Sequence, residues 1–276
     1  PEIDLGGGAT HHINVQVRGI MRFSVTYERD ETDPKTGPIA VGWFLAHDKG
    51  GILYEPPERL TSRQTNKGHA KSASRCPAVV QMESRYFVVK CPFDLNIGFK
   101  RDDQGKAVLV NLAGGASPVR GNKLGQLLTL VNEGEWRYPD RPTVQMSLPY
   151  CFISDEVLYL TQLGTFAHYR ADPLPGTIFG GRFPVNIWPR PLMWAFEWHD
   201  TGKPLVLRRG EPLFYCQFEG STPDRPIQMI EAERTPALEA YMEQLSGVVN
   251  YVNQTFSLFQ AAEAIRPAQL LTPRKR

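Results

Sequence analysis

Apolar and polar residues alternate along much of the chain, which predicts a protein built mainly from β-strands. Ile13, Val15 and Val17 alternate with polar residues, and residues 21–27 repeat the pattern. Residues two apart share one face of a strand, so this alternation is typical of strands with one buried face. The other predicted strands are short apolar or alternating runs: residues 39–46, 77–80, 86–89, 94–99, 108–110, 144–146, 151–153, 157–160 and several within 178–218.

Turn-forming residues separate these runs. The chain has 23 prolines and 24 glycines, and their even spread favours short strands joined by turns. Residues 208–211 lie between two apolar runs and predict a hairpin turn. Residues 56–74 are polar and predict a long loop, and the glycine-rich residues 113–126 predict a surface loop rather than an anion site. We therefore expect a mainly antiparallel β fold, a sandwich or a β-clip or jelly-roll-like arrangement, over residues 1–228.

The pattern changes to helical spacing near the C-terminus. Thr235 supplies a capping hydroxyl and Pro236 suits the first helical position. Apolar residues then recur every three or four positions from Leu238 to Phe259, which predicts one long amphipathic helix over residues 235–266. A helix of that length spans about 45 Å. Two interpretations stay open: the helix packs on its own β-domain, or it packs against copies of itself in a homo-oligomer.

Composition and charge narrow the classes of partner. The 31 basic and 29 acidic residues of the 276 leave a net charge of +2, which argues against capture of nucleic acid or an anionic membrane by charge alone. No apolar run reaches the roughly 18 residues of a membrane helix, and no leader is recognisable, so we expect a cytoplasmic protein. Residues 267–276 are assigned to a basic tail, and its terminal cluster Arg274-Lys275-Arg276 is expected to be a solvated end.

Cysteine and histidine patterns reveal no standard site. The cysteines at 76, 91, 151 and 216 form no C-x-x-C pair and are expected to be reduced, with Cys76 and Cys91 buried. The H-E-x-x-H, G-x-S-x-G, P-loop and G-x-G-x-x-G motifs are absent. The pairs His47-Asp48 and His199-Asp200 would point to opposite faces of a strand, so no metal ligands are predicted. A metal site gathered from scattered histidines stays open as an alternative, and no cofactor is identified.

The richest candidate chemistry lies within residues 172–219. Arg190 stands between two prolines, so its backbone is stiff, and it follows Trp188 by two residues. Its guanidinium could grip a carboxylate or phosphate, or it could be a structural partner of Glu197 or Glu211. We predict a cleft in which His168 and Asp94 are catalytic, and in which the ligand-binding residues are Arg75, Arg182, Trp188 and Arg190.

Short motifs resemble a known family. The stretches SRCPA (74–78), CPFDL (91–95), WPRP (188–191) and RGEPLFY (209–215) resemble the DUF6065 group of bacterial and tailed-phage proteins, which has no assigned activity. Residues 176–218 are also similar to the closing strands of trimeric dUTPase-like β-clip proteins, where a glycine-rich turn precedes a strand ending in a buried aromatic residue or glutamine. The catalytic aspartate of those enzymes has no counterpart in GTIFGGRF, so the likeness does not imply dUTP hydrolysis.

Three classes of function remain open from the sequence. The first is a β-rich protein that binds, and acts on, a small anionic molecule through an Arg/Trp/His cleft. The second is a non-catalytic structural or assembly protein of a phage-like particle. The third is a metal-dependent oxygenase on a cupin-like barrel. The expected partners are a second copy of the chain and a small anionic ligand, with neither nucleic acid nor a membrane.

Overall fold

The computed structural model describes residues 13–18, 22–27, 37–47, 52–61, 75–119, 123–222, 225–249 and 255–275. The chain divides into two compact units, Pro1–Gly37 and Pro38–Arg276. The first unit contains an antiparallel pair of strands, β1 (Ile13–Arg18) and β2 (Arg22–Tyr27). The two strands predicted there from alternation are confirmed.

The second unit is mainly β, as predicted. Its strands are β3 (Ile39–Leu45), β4 (Glu58–Arg59), β5 (Tyr86–Lys90), β6 (Leu95–Arg101), β7 (Ala107–Asn111), β8 (Leu128–Leu130), β9 (Thr143–Ser147), β10 (Tyr150–Ile153), β11 (Leu158–Leu163), β12 (Gly176–Phe179), β13 (Gly181–Pro184), β14 (Met193–Trp198), β15 (Leu205–Leu207), β16 (Pro212–Gly220) and β17 (Ile227–Glu231). Its helices are α1 (Pro77–Arg85), α2 (Leu124–Leu127), α3 (Pro236–Val249) and α4 (Thr255–Ala264).

The described residues of this unit form four sheets. Their strand orders are β10-β3-β17, β13-β11-β16-β5-β4, β12-β14-β9-β8 and β15-β6-β7. Neighbouring strands are antiparallel except β3 and β17, which are parallel. One large hydrophobic core receives side chains from all four sheets. Within it, Trp194, Phe196 and Trp198 of β14 are fully buried, as expected when every second residue faces the core.

Strands β3 and β10 of the β10-β3-β17 sheet are buried on both faces. Trp43 and Phe152 face the large core, whereas Phe44 and Ile153, their neighbours in sequence, face a second hydrophobic cluster. That second cluster also contains Leu238 and other side chains of α3 and α4. The C-terminal helices therefore cover the outer face of a sheet in their own chain.

The prediction of one long C-terminal helix is wrong. The Tyr241 hydroxyl donates to the Ala262 carbonyl at 2.9 Å, whereas a continuous helix would separate these residues by about 30 Å. Helices α3 and α4 therefore fold back on each other. The periodicity of the apolar stripe identified the buried face correctly, but it carries no information about where the chain reverses. Burial raises the pKa of Tyr241 to about 12.

The chain is packed against the protein just before its basic end. Leu270 and Leu271 are buried, and their backbone N–H groups donate to the Asp155 carboxylate at 2.6 and 3.3 Å. Further along, the Arg274 N–H donates to the Glu231 carbonyl at 2.9 Å, and the two side chains form an ion pair. The Arg274 side chain is 66% exposed, so the solvated basic end stays a prediction, while the apolar pair and the carboxylate of Asp155 hold the residues before it on the protein.

Residues 77–80 were predicted as a strand but begin helix α1. Pro77 occupies the first helical position, and Cys76 before it is extended, with φ −70° and ψ 123°. The adjacent valines 79 and 80 gave the strand signal, which is a weak preference that context overrides. Cys76 is exposed at this helix start, contrary to expectation, while Cys91, Cys151 and Cys216 are buried and all four are free.

Residues 208–211 form a turn, but not the predicted hairpin. Gly210 has φ +81°, which glycine adopts without strain. The strand before the turn, β15, pairs with β6, whereas β16 after it pairs with β5 and β11. The turn therefore passes the chain from one sheet to another, a choice that local sequence cannot specify.

Candidate functional site

A cleft of about 780 Å³ lies beside the loop that joins β11 to β12. A single continuous segment, residues 163–178, supplies the side chains that line it. Its apolar surface comes from Leu163, Phe166, Leu174 and Ile178. Leu174 and Ile178 also pack against the large core, so the wall of the cleft is fixed to the interior of the protein.

Aromatic side chains anchor this loop and offer surface to a ligand. The Phe166 ring packs edge-on against Tyr86 at 5.9 Å and against Tyr215 at 5.2 Å, measured between ring centroids. Phe166 nevertheless keeps 62% of its surface exposed, and Tyr169 keeps 87%. Burial raises the pKa of Tyr86 and Tyr215. Exposed aromatic rings in a concave, anchored position are well suited to contact an apolar or planar group.

Arg170 fastens the other side of the loop. Its Nη2 donates to the Val206 carbonyl at 2.8 Å, and its Nη1 lies 3.1 Å from the Glu211 carboxylate. The Arg170 side chain is only 13% exposed, so most of its guanidinium edge is already committed to these partners. The loop is thus held by an aromatic contact at one point and by an ion pair at another.

A smaller pocket of about 290 Å³ adjoins the cleft and shares His168 with it. Arg208, Asp172 and Glu211 also line this pocket. Arg208 is exposed and forms no ion pair with any residue that the structure describes. His168 therefore stands between an aromatic cleft and a charged pocket that contains an uncompensated arginine.

The cleft lining contains basic residues but no described carboxylate. His168 and Arg170 contribute to its lining, and none of its described lining residues is an aspartate or glutamate. The acidic side chains nearby, Asp172 and Glu211, belong to the smaller pocket. Since a carboxylate in the wall would repel an anion, its absence from the described lining favours anionic over cationic ligands.

A hydrogen-bonded group of three residues lies behind one wall of the cleft. Strands β12 and β14 place Thr177 opposite Glu197. His199 Nε2 lies 2.9 Å from Glu197 Oε1 and 3.2 Å from Thr177 Oγ1, and Thr177 lines the cleft. Glu197 is 4% exposed, and the Arg141 guanidinium lies 3.8 Å from its Oε1. The sequence signal for this group is the Glu-x-His spacing of Glu197 and His199, because residues two apart in an extended chain point to the same side. The adjacent His199-Asp200 pair, on which the sequence prediction rests, does not reveal it.

No protein-family model, no curated protein and no solved structure matches this chain. The likeness of its motifs to the DUF6065 group and to β-clip proteins therefore stays a prediction. Among the described residues, no group of three or more His, Cys, Asp or Glu side chains is arranged to hold a metal ion. No helix in the described part of the chain is long and apolar enough to cross a membrane.

The two residues predicted to be catalytic have different positions. His168 lines the cleft, as described above. Asp94 does not line it; its carboxylate accepts the Arg209 backbone N–H at 2.9 Å and so holds the 208–211 turn. Arg75, predicted to bind ligand, is exposed just before α1 and lines none of the clefts described here.

Arg182 and Arg190 line two further cavities, whereas Trp188 packs against Phe259 of α4 at 5.4 Å and against the second hydrophobic cluster. Arg182 forms an ion pair with Glu219, lies over the Tyr159 ring at 4.7 Å and lines a cavity of about 470 Å³. Arg190 lies over the Trp188 ring at 5.5 Å, in a groove of about 540 Å³ beside α3.

The structure therefore does not bring the predicted Arg, Trp and His residues into one cleft. The cavities that contain His168, Arg182 and Arg190 share no lining residue. Neither acid suggested as a structural partner of Arg190 pairs with it. Glu197 pairs with His199 and Arg141, and Glu211 pairs with Arg170.

Proposed function

We propose that this protein binds a small molecule that combines an aromatic or apolar part with an anionic group. The ligand occupies the cleft lined by residues 163–178. One observation carries the proposal: exposed Phe166 and Tyr169 share this lining with His168 and Arg170, and no described lining residue is a carboxylate. The proposal extends to catalysis, in which His168 acts on the bound ligand as a general acid or base.

Each part of the ligand has a matching surface. The rings of Phe166 and Tyr169 give an apolar face to a planar group, and contacts of this kind are common in small-molecule sites. The anionic group lies at His168, on the side of the cleft where the smaller pocket adds the exposed Arg208. Of the two carboxylates in that pocket, Glu211 is paired with Arg170 and Asp172 is exposed to solvent. Arg208 has no carboxylate partner among the described residues, so its charge is available to a ligand.

The anchoring of the loop supports binding rather than a passive surface. Phe166 packs on two tyrosines and Arg170 on Val206 and Glu211, at points on either side of His168. A site that is held in place before the ligand arrives loses less conformational entropy on binding. This rigidity is what distinguishes the cleft from an ordinary exposed loop.

We also propose a sandwich-like arrangement for the second unit. Its support is that Phe196 of β14 and Phe214 of β16, from different sheets, are both fully buried in one core. The homo-oligomer expected from a long helix loses its main argument, because α3 and α4 cover a sheet of their own chain. A cytoplasmic setting stays a proposal that rests on the sequence.

A ligand screen with matched variants tests the function. Wild-type protein is titrated with benzoate, phenyl phosphate and adenosine monophosphate, and binding is measured by calorimetry and thermal shift. We expect at least one of these anions to bind, and His168→Ala and Arg208→Ala to weaken it about 5-fold to 10-fold each.

Two controls accompany these variants. Arg209→Ala removes an exposed arginine from the same turn, and Arg190→Ala removes one from the groove beside α3. Both should bind the anion as wild type does. The proposal fails if none of the three anions binds wild type, or if His168→Ala and Arg208→Ala bind it no more weakly than the controls.

A further inference from the structure

The contacts of His199 determine where the hydrogen of the Thr177 hydroxyl points. Two oxygen atoms, Glu197 Oε1 at 2.9 Å and Thr177 Oγ1 at 3.2 Å, approach the same ring nitrogen, Nε2. A neutral imidazole nitrogen is either a donor or an acceptor, so the two contacts are not independent. Whichever partner fixes the hydrogen on Nε2 also decides the role of the other.

Glu197 is the partner that fixes it. An ionised carboxylate only accepts hydrogen bonds, and the Arg141 guanidinium at 3.8 Å balances its charge. At 2.9 Å, an unprotonated Nε2 would set its lone pair against that of the carboxylate. Nε2 therefore carries a hydrogen and donates it to Glu197, and the neutral ring has its lone pair on Nδ1.

It follows that Thr177 cannot donate to His199. Its oxygen faces an N–H group and is limited to accepting from it. No other hydrogen-bond partner of Thr177 Oγ1 occurs among the described residues, and Thr177 lines the cleft. The hydroxyl hydrogen is therefore free to point toward whatever occupies the cleft.

We propose that Thr177 is a specificity-determining residue, whose hydroxyl donates a hydrogen bond to an anionic oxygen of the bound ligand. Glu197 and His199 act through it as positioning residues. This inference rests on the proposed function and deepens it: the ligand presents a carboxylate or phosphate oxygen to the β12 side of the cleft. A hydrogen bond to a charged group contributes enough that its loss should weaken binding about 10-fold to 100-fold.

The hydrogen position on His199 can be measured without a ligand. In ¹⁵N-labelled protein at pH 8, the nitrogen chemical shifts of the His199 ring distinguish the Nε2–H from the Nδ1–H form. We expect Nε2–H in wild type and in Thr177→Val, and loss of this preference in Glu197→Gln, because an amide can donate to Nε2. An Nδ1–H ring in wild type would overturn the inference.

The ligand contact is tested with the same probes, benzoate and phenyl phosphate. Thr177→Val removes the hydroxyl and should weaken binding 10-fold or more, whereas Thr177→Ser keeps it and should bind within about 3-fold of wild type. Thr129→Val makes the same chemical change on strand β8, outside the cleft lining, and serves as the matched control, with binding unchanged.

The outcomes separate the inference from the function beneath it. If neither probe binds wild type, the proposed function fails for these anions and the role of Thr177 fails with it. If the probes bind and Thr177→Val binds them as wild type does, only the role of Thr177 is overturned. A loss of binding in Thr177→Val that Thr177→Ser restores supports both.

Discussion

The cleft of residues 163–178 and the groove beside α3 contain similar cations but surround them differently. In the groove, Arg190 and Arg234 face Glu239 and Glu243, and Arg234 forms an ion pair with Glu239 at 2.8 Å. In the cleft, Arg170 is also paired, but its partner Glu211 lies outside the lining, and no described lining residue is a carboxylate. An arginine on a stiff, proline-flanked backbone is therefore not by itself an anion site. Whether such an arginine can bind an anion depends on the charges of the residues around it.

The two regions also differ in how they are built. One loop and the strand that follows it form the cleft, and contacts from β5 and β16 hold that loop in place. The groove arises where residues 189–191 meet α3, two segments distant in the sequence. Variants that loosen the cleft should therefore affect stability and binding together, while variants in the groove should affect neither by much.

The largest effect is expected from Gly176→Ala, at the strand that forms one wall of the cleft. A Cβ at this position would lie 2.0 Å from the Glu197 carbonyl oxygen and 2.8 Å from the Phe196 ring. Strand β12 would have to separate from β14, at a cost of about 3 kcal/mol or more in the free energy of unfolding. Urea unfolding followed by fluorescence measures it.

Gly181→Ala is the control for that variant. Gly181 also lies in a strand, but an added Cβ would meet nothing within 4 Å. Its free energy of unfolding should stay within about 0.5 kcal/mol of wild type. Equal stabilities for the two variants would contradict the close approach of β12 to β14 that forms the cleft wall.

A middle-sized effect should separate Arg170→Ala from Arg190→Ala. The first variant removes a mostly buried guanidinium from Val206 and Glu211, and we expect it to lower the free energy of unfolding by about 2 kcal/mol. Arg190 forms no ion pair with any described residue, so its removal should cost about 0.5 kcal/mol or less. Thermal and urea unfolding of the two variants, side by side, measure these losses. Equal losses in the free energy of unfolding would contradict the predicted difference between Arg170 and Arg190.

The smallest effect is on the titration of the tyrosines under the loop. Burial raises the pKa of Tyr86 and Tyr215 above the ordinary value of 10.0, with the Glu219 charge adding to the effect on Tyr86. The unfolded chain ionises first, so the stability of the fold is intact below pH about 10 and declines as the pH rises toward the folded values. Phe166→Ala uncovers both rings and should shift their ultraviolet titration downward. An unchanged titration curve would show that Phe166 does not shield them.

Local pattern predicted the strands well because side-chain alternation is a property of a few consecutive residues. The alternation of Trp194, Phe196 and Trp198 requires nothing distant to be recognised. Partner choice is different. That β15 leaves for β6 while β16 pairs with β5 and β11 depends on packing across the whole unit. The reversal between α3 and α4 is equally invisible to a periodic stripe.

The candidate site was predicted only in part. His168 was identified as a residue of a cleft, and the loop that carries it is continuous in sequence, so its neighbours Tyr169 and Arg170 could be anticipated. Arg190 and Arg182 were assigned to the same cleft because each is chemically suitable, which says nothing about separation in space. Glu197 and His199 could have been found from their spacing on one strand face, whereas Thr177 opposite them depends on the pairing of β12 with β14.

The parallel pairing of β3 with β17 has a consequence for how this unit is assembled. The first strand of the unit, β3, can pair with β17 only after the strands between them have been synthesised. The Arg274 N–H then donates to the Glu231 carbonyl on β17. Contacts so remote in sequence form slowly, and a ribosome would have released almost the entire unit before β3 could be completed. Until then the β17 edge of that strand and its outer face stay uncovered, and an unpaired strand edge is a site at which the growing chain can aggregate.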